Sequence, residues 1–180
     1  MTKLATLCYI RHQGRTLMMH RIKKAGDIHF GKWNGLGGKL FPGETPDECV
    51  VREVKEESGL SLKSPRLHGF LTFPGFNGDD DWYVWVFTAT QFTGRLSESP
   101  EGVLSWIPNK DLLKLPLWPG DKIFIPWLNT PHLFTGKFVY KNQVLLSHTM
   151  KSIGKTKMSS FFFPVFLTGA CWGESILSIF

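Results

Sequence analysis

Cysteine is scarce in this chain: three in 180 residues, at positions 8, 49 and 171. An odd number spaced so widely builds neither a disulfide framework nor the paired spacing of a zinc site, which points to a reducing, cytoplasmic setting. Acidic residues are outnumbered by Lys and Arg, 15 to 21, for a formal charge of +6. That excess favours polyanions as a class and names none of them. Between Met1 and Met150 no apolar run approaches the roughly 20 residues needed to cross a bilayer. Met1 to Ile10 ends at Arg11-His12 with no small-residue cleavage site, so neither a membrane partner nor a signal peptide is expected. The six histidines show no ligand spacing, and no internal repeat is visible. What the chain has in quantity is apolar material, 42% hydrophobic and 14% aromatic, enough for one packed domain.

Leu4–Ile10 and Thr16–His20 are β-rich runs separated by Gly14-Arg15 and read as adjacent strands. Glycine, Trp and Asn crowd Gly31–Gly38, where small residues let backbone approach backbone or ligand. Then comes the strongest helix signal: Thr45 as N-cap, Pro46 at the first position, Glu48 at the capping-box position and Gly59 as the stop. Leu67–Phe76, Trp82–Phe92, Val103–Ile107 and Phe134–Tyr140 read as further strands, and Asp121–Leu128 as a second helix. The mixture implies an α+β fold, a sheet sandwiched by helices. After Met150 the composition changes: Lys151–Lys157 is basic, and Phe161–Phe180 has neither helical nor strand periodicity. A domain over 1–150 with an extension over 151–180 is expected.

At about 100° per residue, Glu53, Glu56 and Glu57 fall on one face of the first helix, while Val50, Val51 and Val54 centre on another that can face a core. Like charges about 4 Å apart repel by around 4 kcal/mol at an effective dielectric of 20, so the acidic face favours a cation. Hard oxygen donors suit Mg²⁺, or Mn²⁺, together with substrate phosphates. From the helix alone, a solvated face with Arg52 pairing Glu48 and Glu56 remains a competing reading.

Gly38, Glu44, Arg52, Glu53, Val54, Glu56, Glu57, Gly59 and Leu60 stand in the order and spacing of the Nudix box, with every specified position filled. The chain therefore resembles Nudix hydrolases. The resemblance implies an α/β/α sandwich with a mixed central sheet and a loop-helix catalytic motif, and hydrolysis of a nucleoside diphosphate linked to another group. It implies that Glu53, Glu56 and Glu57 bind the metals with the carbonyl of Gly37. Glu44 and Arg52 would support these carboxylates, and Glu53 or Glu56 would serve as base. Glu101 resembles a distal acidic residue that completes metal binding in some members, a solvated loop glutamate being the alternative.

Gly31–Lys39 and Leu117–Asp121 are similar to segments of the MutT-type 8-oxo-dGTP diphosphatases, and Leu4-Ala5-Thr6, Phe70–Pro74 and Asp81-Trp82-Tyr83 to bacterial members of that branch. This implies that Thr6, Lys23, Asn34, Trp118 and Asp121 surround the purine or sugar, with Lys39 near the phosphates. Trp118 as an ordinary core aromatic and Asp121 as a helix cap are the alternatives. Gly120 departs from relatives that carry a second aspartate beside the one matching Asp121. The expected partner is a small nucleoside triphosphate, with no stable nucleic-acid complex and a monomer or homodimer. Another Nudix substrate, such as an RNA 5′ end, a dinucleoside polyphosphate or dihydroneopterin triphosphate, or a non-catalytic nucleotide-binding module, are the rival readings.

Overall fold

The computed structural model describes residues 1–154 except Ala25 and Asp79. Of the extension expected over 151–180, everything from residue 155 onward lies outside the described residues, Cys171 included.

The chain opens with a hairpin, β1 (Thr2–His12) and β2 (Arg15–His20), closed by Gln13 and Gly14 at positive φ. A two-residue strand β3 (Trp33–Asn34) precedes helix α1 (Pro46–Ser58). Then follow β4 (Ser61–Lys63), β5 (Arg66–Asn77), β6 (Asp80–Ala89), β7 (Gln91–Thr93) and β8 (Val103–Pro108). A 3₁₀ turn over Asn109–Lys114 leads to helix α2 (Pro119–Phe124), a second 3₁₀ turn over Ile125–Asn129, and strands β9 (Leu133–Lys141) and β10 (Val144–Ile153).

Eight strands form one sheet in the order β10-β9-β5-β6-β1-β2-β3, with β8 beside β2. β1 with β6 and β5 with β9 run parallel, and the other pairs are antiparallel, so the sheet is mixed. Side chains alternate across it as a pleated strand requires. Ala5 and Tyr9 enter a core under α2 with Phe124, Phe134 and Phe138. Cys8 and Ile10 enter a second core under α1 with Val50, Val54 and Phe87. Two cores on opposite faces make the expected α/β/α sandwich.

α1 begins and ends where its sequence signals place it. The hydroxyl of Thr45 accepts from the Glu48 N–H at 3.2 Å, and Glu48 accepts from the Thr45 N–H at 2.9 Å. Gly59, at φ 76°, donates its N–H to the Lys55 carbonyl, a left-handed end that glycine takes without a Cβ penalty.

Other elements differ from expectation. The second helix starts at Pro119, whose fixed φ suits a first helical position, and passes into a 3₁₀ turn at Ile125 because Pro126 has no N–H to donate. The strand expected to reach Phe92 stops at Ala89, and Gln91–Thr93 pair instead with Ser61–Lys63. β10 carries no sequence signal, since most of its side chains are exposed and no apolar alternation marks them. It runs through Met150, pairing Lys151, Ser152 and Ile153 with Thr135, Phe134 and Leu133.

Candidate active site

β1 separates from β2 after the hairpin end, where Ile10–His12 pair, and its freed edge is taken by the glycine-rich loop. Thr6 N–H donates to the Gly38 carbonyl at 2.8 Å, Cys8 and Leu36 exchange bonds in both directions, and Leu40 N–H reaches Leu4 at 3.0 Å. A Cβ on Gly37, at φ 145°, would stand 2.2 Å from the Thr6 carbonyl oxygen, and one on Gly38 would stand 2.4 Å from the Glu53 carboxylate. Neither position admits a side chain. This loop and α1 wall one end of a cleft of about 720 Å³ lined by Gly37, Gly38, Lys39, Glu53, Glu56, Glu57 and Glu101.

α1 is rotated slightly from the expected orientation. Val50 and Val54 are fully buried, but Val51 is 36% exposed, a correction to its placement with the core valines. Glu57 takes the core side instead, because a residue seven positions from Val50 returns to nearly the same direction after two turns. Its carboxylate accepts from the Gly37 N–H at 2.8 Å. Burial pushes its pKa up to about 8 despite that bond, with Glu101 and Glu53 adding repulsion.

The other glutamates are not bare. Arg52 donates from Nε and Nη2 to the two oxygens of Glu44 at 2.7 and 2.9 Å, a bidentate fork. Its Nη1 reaches Glu53 at 2.8 Å and Glu56 at 3.2 Å, and Nη2 also reaches the Lys39 carbonyl at 3.1 Å. Glu48 belongs to the capping box, so Arg52 pairs with Glu44 and not with Glu48. The guanidinium beside Glu44 holds that carboxyl down to about 2. Burial raises Glu53, with Arg52 opposing. Arg52 thus ties the loop residue Glu44 to the helix carboxylates and fixes where they stand.

Glu101 pairs with Arg21, whose Nε also donates to Asp27 at 2.8 Å. It therefore faces the cleft from a held position.

The far part of the cleft is aromatic. Asn34, Trp118 and Asp121 line it, joined by His29, Phe73, Phe76 and Tyr140. Thr6 lines the cleft beside the glycine-rich loop instead, its hydroxyl 3.4 Å from Cys49 Sγ on α1 and its N–H on the Gly38 carbonyl, which places it at the carboxylate end. Trp118 is 5% exposed and packs edge-on against Phe76 and Tyr140, so it is both a core residue and part of the wall. Its Nε1–H donates to His29 Nδ1 at 3.0 Å, and Asn34 Nδ2 stands 3.2 Å from the same nitrogen. The Trp118 N–H takes the lone pair of that nitrogen, which makes His29 neutral with its proton on Nε2. Burial accordingly lowers its pKa to about 4. The Asn34 Oδ1 is buried without a partner and lies in the cleft wall.

Asp121 lies in the first turn of α2, whose N-cap Trp118 makes no side-chain cap bond, and its carboxyl faces the Trp118 backbone N–H. It is 9% exposed, and burial raises its pKa to about 7. Gly120 has a packing cause: a Cβ there would meet the Tyr140 hydroxyl at 2.8 Å and Phe138 at 3.0 Å. The Tyr140 oxygen accepts from the Gly120 N–H. A phenol fills the space a second acid would need.

Most residues expected at the site converge on this cleft. Lys39 lines it with Nζ 5.4 Å over the Trp82 ring, and Arg52 and Glu44 stand behind it. Lys23 does not join them: its Nζ donates to the Ser99 carbonyl at 2.9 Å, and Lys24 lines the cleft instead. His29, Arg21, Phe76 and Tyr140 carried no local signal: Phe76 and Tyr140 are brought to the cleft by β5 and β9, and Arg21 and His29 by the loop between β2 and β3.

Among the described residues no three His, Cys, Asp or Glu side chains form a ready cage for a metal. The donor set nevertheless suits a hard cation. Glu53, Glu56, Glu57 and Glu101 share one cleft wall, and the buried Glu57 carboxyl has a single hydrogen bond to offset a charge. Mg²⁺ characteristically takes one or two carboxylates and completes its shell with water and phosphate oxygens.

No helix among the described residues is long and apolar enough to cross a membrane. The NUDIX domain pattern matches residues 1–128. The chain is 32% identical over 151 residues to an uncharacterized Nudix hydrolase of Bacillus subtilis, covering 81% of this chain and 92% of that one. It is 31% identical over 153 residues to the oxidized purine nucleoside triphosphate hydrolase of Mus musculus, covering 84% and 96%. The crystal structure of the mutator MutT protein from Bacillus halodurans superposes with a TM-score of 0.73 at 32% identity, over 82% of this chain and 97% of that one. The loop-helix carboxylates, the mixed sheet and these likenesses together make this chain a member of the Nudix hydrolase family.

Proposed function

We propose that the protein is a Mg²⁺-dependent nucleoside triphosphate pyrophosphohydrolase that acts on oxidised purine nucleotides, converting 8-oxo-dGTP to 8-oxo-dGMP and pyrophosphate. The observation that carries this reading is the pairing, within one cleft, of a carboxylate end and an aromatic end. The mouse relative's name, an oxidized purine nucleoside triphosphate hydrolase, supports the same substrate class.

In this reading Glu53, Glu56 and Glu57, with the Gly37 carbonyl and Glu101, hold the metal. Such an ion neutralises charge on nonbridging phosphate oxygens and makes bound water a better nucleophile. Arg52 keeps Glu53 and Glu56 in place through its fork to Glu44. Lys39 adds positive charge at the phosphate side. At the other end Asn34 Oδ1 accepts from a base edge, oriented by the amide contact to His29. Asp121, buried with a pKa of about 7, is positioned to donate when protonated and accept when ionised. An oxidised guanine adds an N7–H donor and a C8 carbonyl, and each polar match is worth about 1 kcal/mol, more where a buried group otherwise stays unpaired.

The test is a panel of nucleoside triphosphates, capped RNA, dinucleoside polyphosphates and dihydroneopterin triphosphate, with and without Mg²⁺ or Mn²⁺, and with products identified. Nucleoside monophosphate and pyrophosphate from 8-oxo-dGTP in preference to dGTP is expected. Equal turnover of dGTP and 8-oxo-dGTP would remove the sanitation reading and leave the hydrolase. Turnover of none would leave a binding module.

A further inference from the structure

The three strands that wall the active site carry a second polar cavity at their other ends. Arg11 on β1, Arg66 and His68 on β5 and Thr88 at the end of β6 line about 490 Å³, with Ser64 and Thr90 beside them. The active-site lining on the same strands is Thr6, Phe73 and Trp82. Among the described residues no Asp or Glu lines this cavity.

Its donors are under-used. His68 is 6% exposed, and among the described residues its imidazole makes no hydrogen bond. Arg11 Nε is buried without a partner. The two guanidinium groups are held by single carbonyl contacts, Arg11 to Leu128 at 3.3 Å and Arg66 to Pro131 at 2.9 Å. Those contacts orient the groups without neutralising them. Burial, followed by Arg66 and Arg11, lowers the His68 pKa to about 4, the response of an imidazole among like charges with no anion near. Gathering two guanidinium groups around a buried imidazole, with no acidic side chain among the described lining residues, is unfavourable unless a negative ligand completes the set.

We propose that this cavity is a binding site for a phosphate-type oxyanion, inorganic phosphate or pyrophosphate or the phosphate of a nucleotide. Two guanidinium groups, an imidazole and hydroxyls from Thr88, Thr90 and Ser64 approach from three strands and a loop. Saturating donors so distributed takes three or more acceptor oxygens on one centre, which a phosphate has and a carboxylate lacks. The site is distinct from the Nudix cleft and does not depend on its substrate.

The experiment follows the His68 imidazole by NMR in the full-length protein with EDTA present, while phosphate, pyrophosphate, a nucleoside monophosphate or acetate is added to about 10 mM, enough to fill a site with a Kd of roughly 1 mM. A saturable shift of His68, with its titration moved up by about one pH unit or more, is expected for the phosphates and not for acetate at matched ionic strength. Tighter binding of phosphate and pyrophosphate identifies a free inorganic ligand, and tighter binding of the monophosphate a nucleotide. Arg66→Gln, at an exposed position that leaves both cores untouched, weakens the response about tenfold or more and leaves metal-dependent hydrolysis unchanged. A flat His68 signal, the same shift with acetate, an undiminished response in Arg66→Gln, or binding of a single-stranded oligonucleotide alone overturns the proposal.

Discussion

Val50 and Glu57 stand seven residues apart on α1 and point to the same side of it, at 0% and 7% exposed. One of the box carboxylates is therefore drawn into the edge of a hydrophobic core, where its Gly37 contact is its hydrogen bond. Glu53 and Glu56 lie on the adjacent face and are tied to Arg52. The three acids thus have unequal environments.

Glu53→Gln and Glu57→Gln each lower kcat by about 10²-fold or more, with circular dichroism unchanged. For Glu57→Gln the amide still accepts from Gly37 and replaces a buried carboxyl whose ionisation burial disfavours, so the thermal midpoint stays level or rises. Steady-state kinetics with melting curves checks both. Turnover near wild type in the two variants would remove the metal-assisted mechanism.

Arg52→Lys keeps the charge and loses the fork. Lysine cannot bridge both oxygens of Glu44 while reaching Glu53 and Glu56. The expected outcome is a fall in kcat of about tenfold or more with a smaller change in KM. Glu44→Gln should follow in the same direction, and a kinetic comparison of the two variants and their double checks that they act as one unit.

His29→Phe keeps an aromatic ring and removes the nitrogen that accepts from Trp118 and stands 3.2 Å from the Asn34 amide. KM for a purine triphosphate rises several-fold while kcat changes little, because the base end loses its orientation and the carboxylate end does not. His29 also sets a pH dependence. Its folded pKa, about 4, lies below the ordinary 6.5, so the unfolded chain binds more protons between those values. Its contribution to stability is complete above pH 6.5 and is lost as pH falls toward 4. Melting midpoints in that window drop less steeply for His29→Phe.

Asp121 works in the opposite sense. Its folded pKa, about 7, is raised from 3.8, so the folded protein holds a proton that the unfolded chain has released. Stability from this group is greatest below pH 3.8 and is lost as pH rises through 7. A break near pH 7 in kcat/KM for purine substrates is expected in the wild type and absent in Asp121→Asn. A persistent break in that variant would assign it to another group.

Cutting the chain after Gly154 keeps every residue of β10 and should preserve turnover and the thermal midpoint. Cutting after Met150 removes Lys151–Ile153, which pair with Leu133–Thr135, and lowers the midpoint while leaving the cleft residues in place. Melts of the two truncations alongside the full chain distinguish these outcomes.

α1 was legible at both ends, because Thr45, Pro46, Glu48 and Gly59 act through contacts within four residues of themselves, and such local bonds form in any fold that contains the segment. The same holds for the spacing that put Glu53, Glu56 and Glu57 on one stretch of helix. The strands of the sandwich were legible where burial imposed an apolar pattern, and β10 was not, since an exposed edge strand has no such constraint on its side chains.

Tertiary structure alone decided which side of α1 meets the core, exposing Val51 and burying Glu57, because that depends on where β1 lies and not on helix geometry. It also decided the base end of the cleft. His29 comes from the loop between β2 and β3, Asn34 from β3, Trp118 and Asp121 from the start of α2 and Tyr140 from β9, segments that only the folded sheet and its covering helix bring together, and a pKa near 4 or 7 comes from the desolvation that this meeting creates. Short-range hydrogen bonds are encoded in short-range sequence, whereas burial is a property of what the rest of the chain brings alongside.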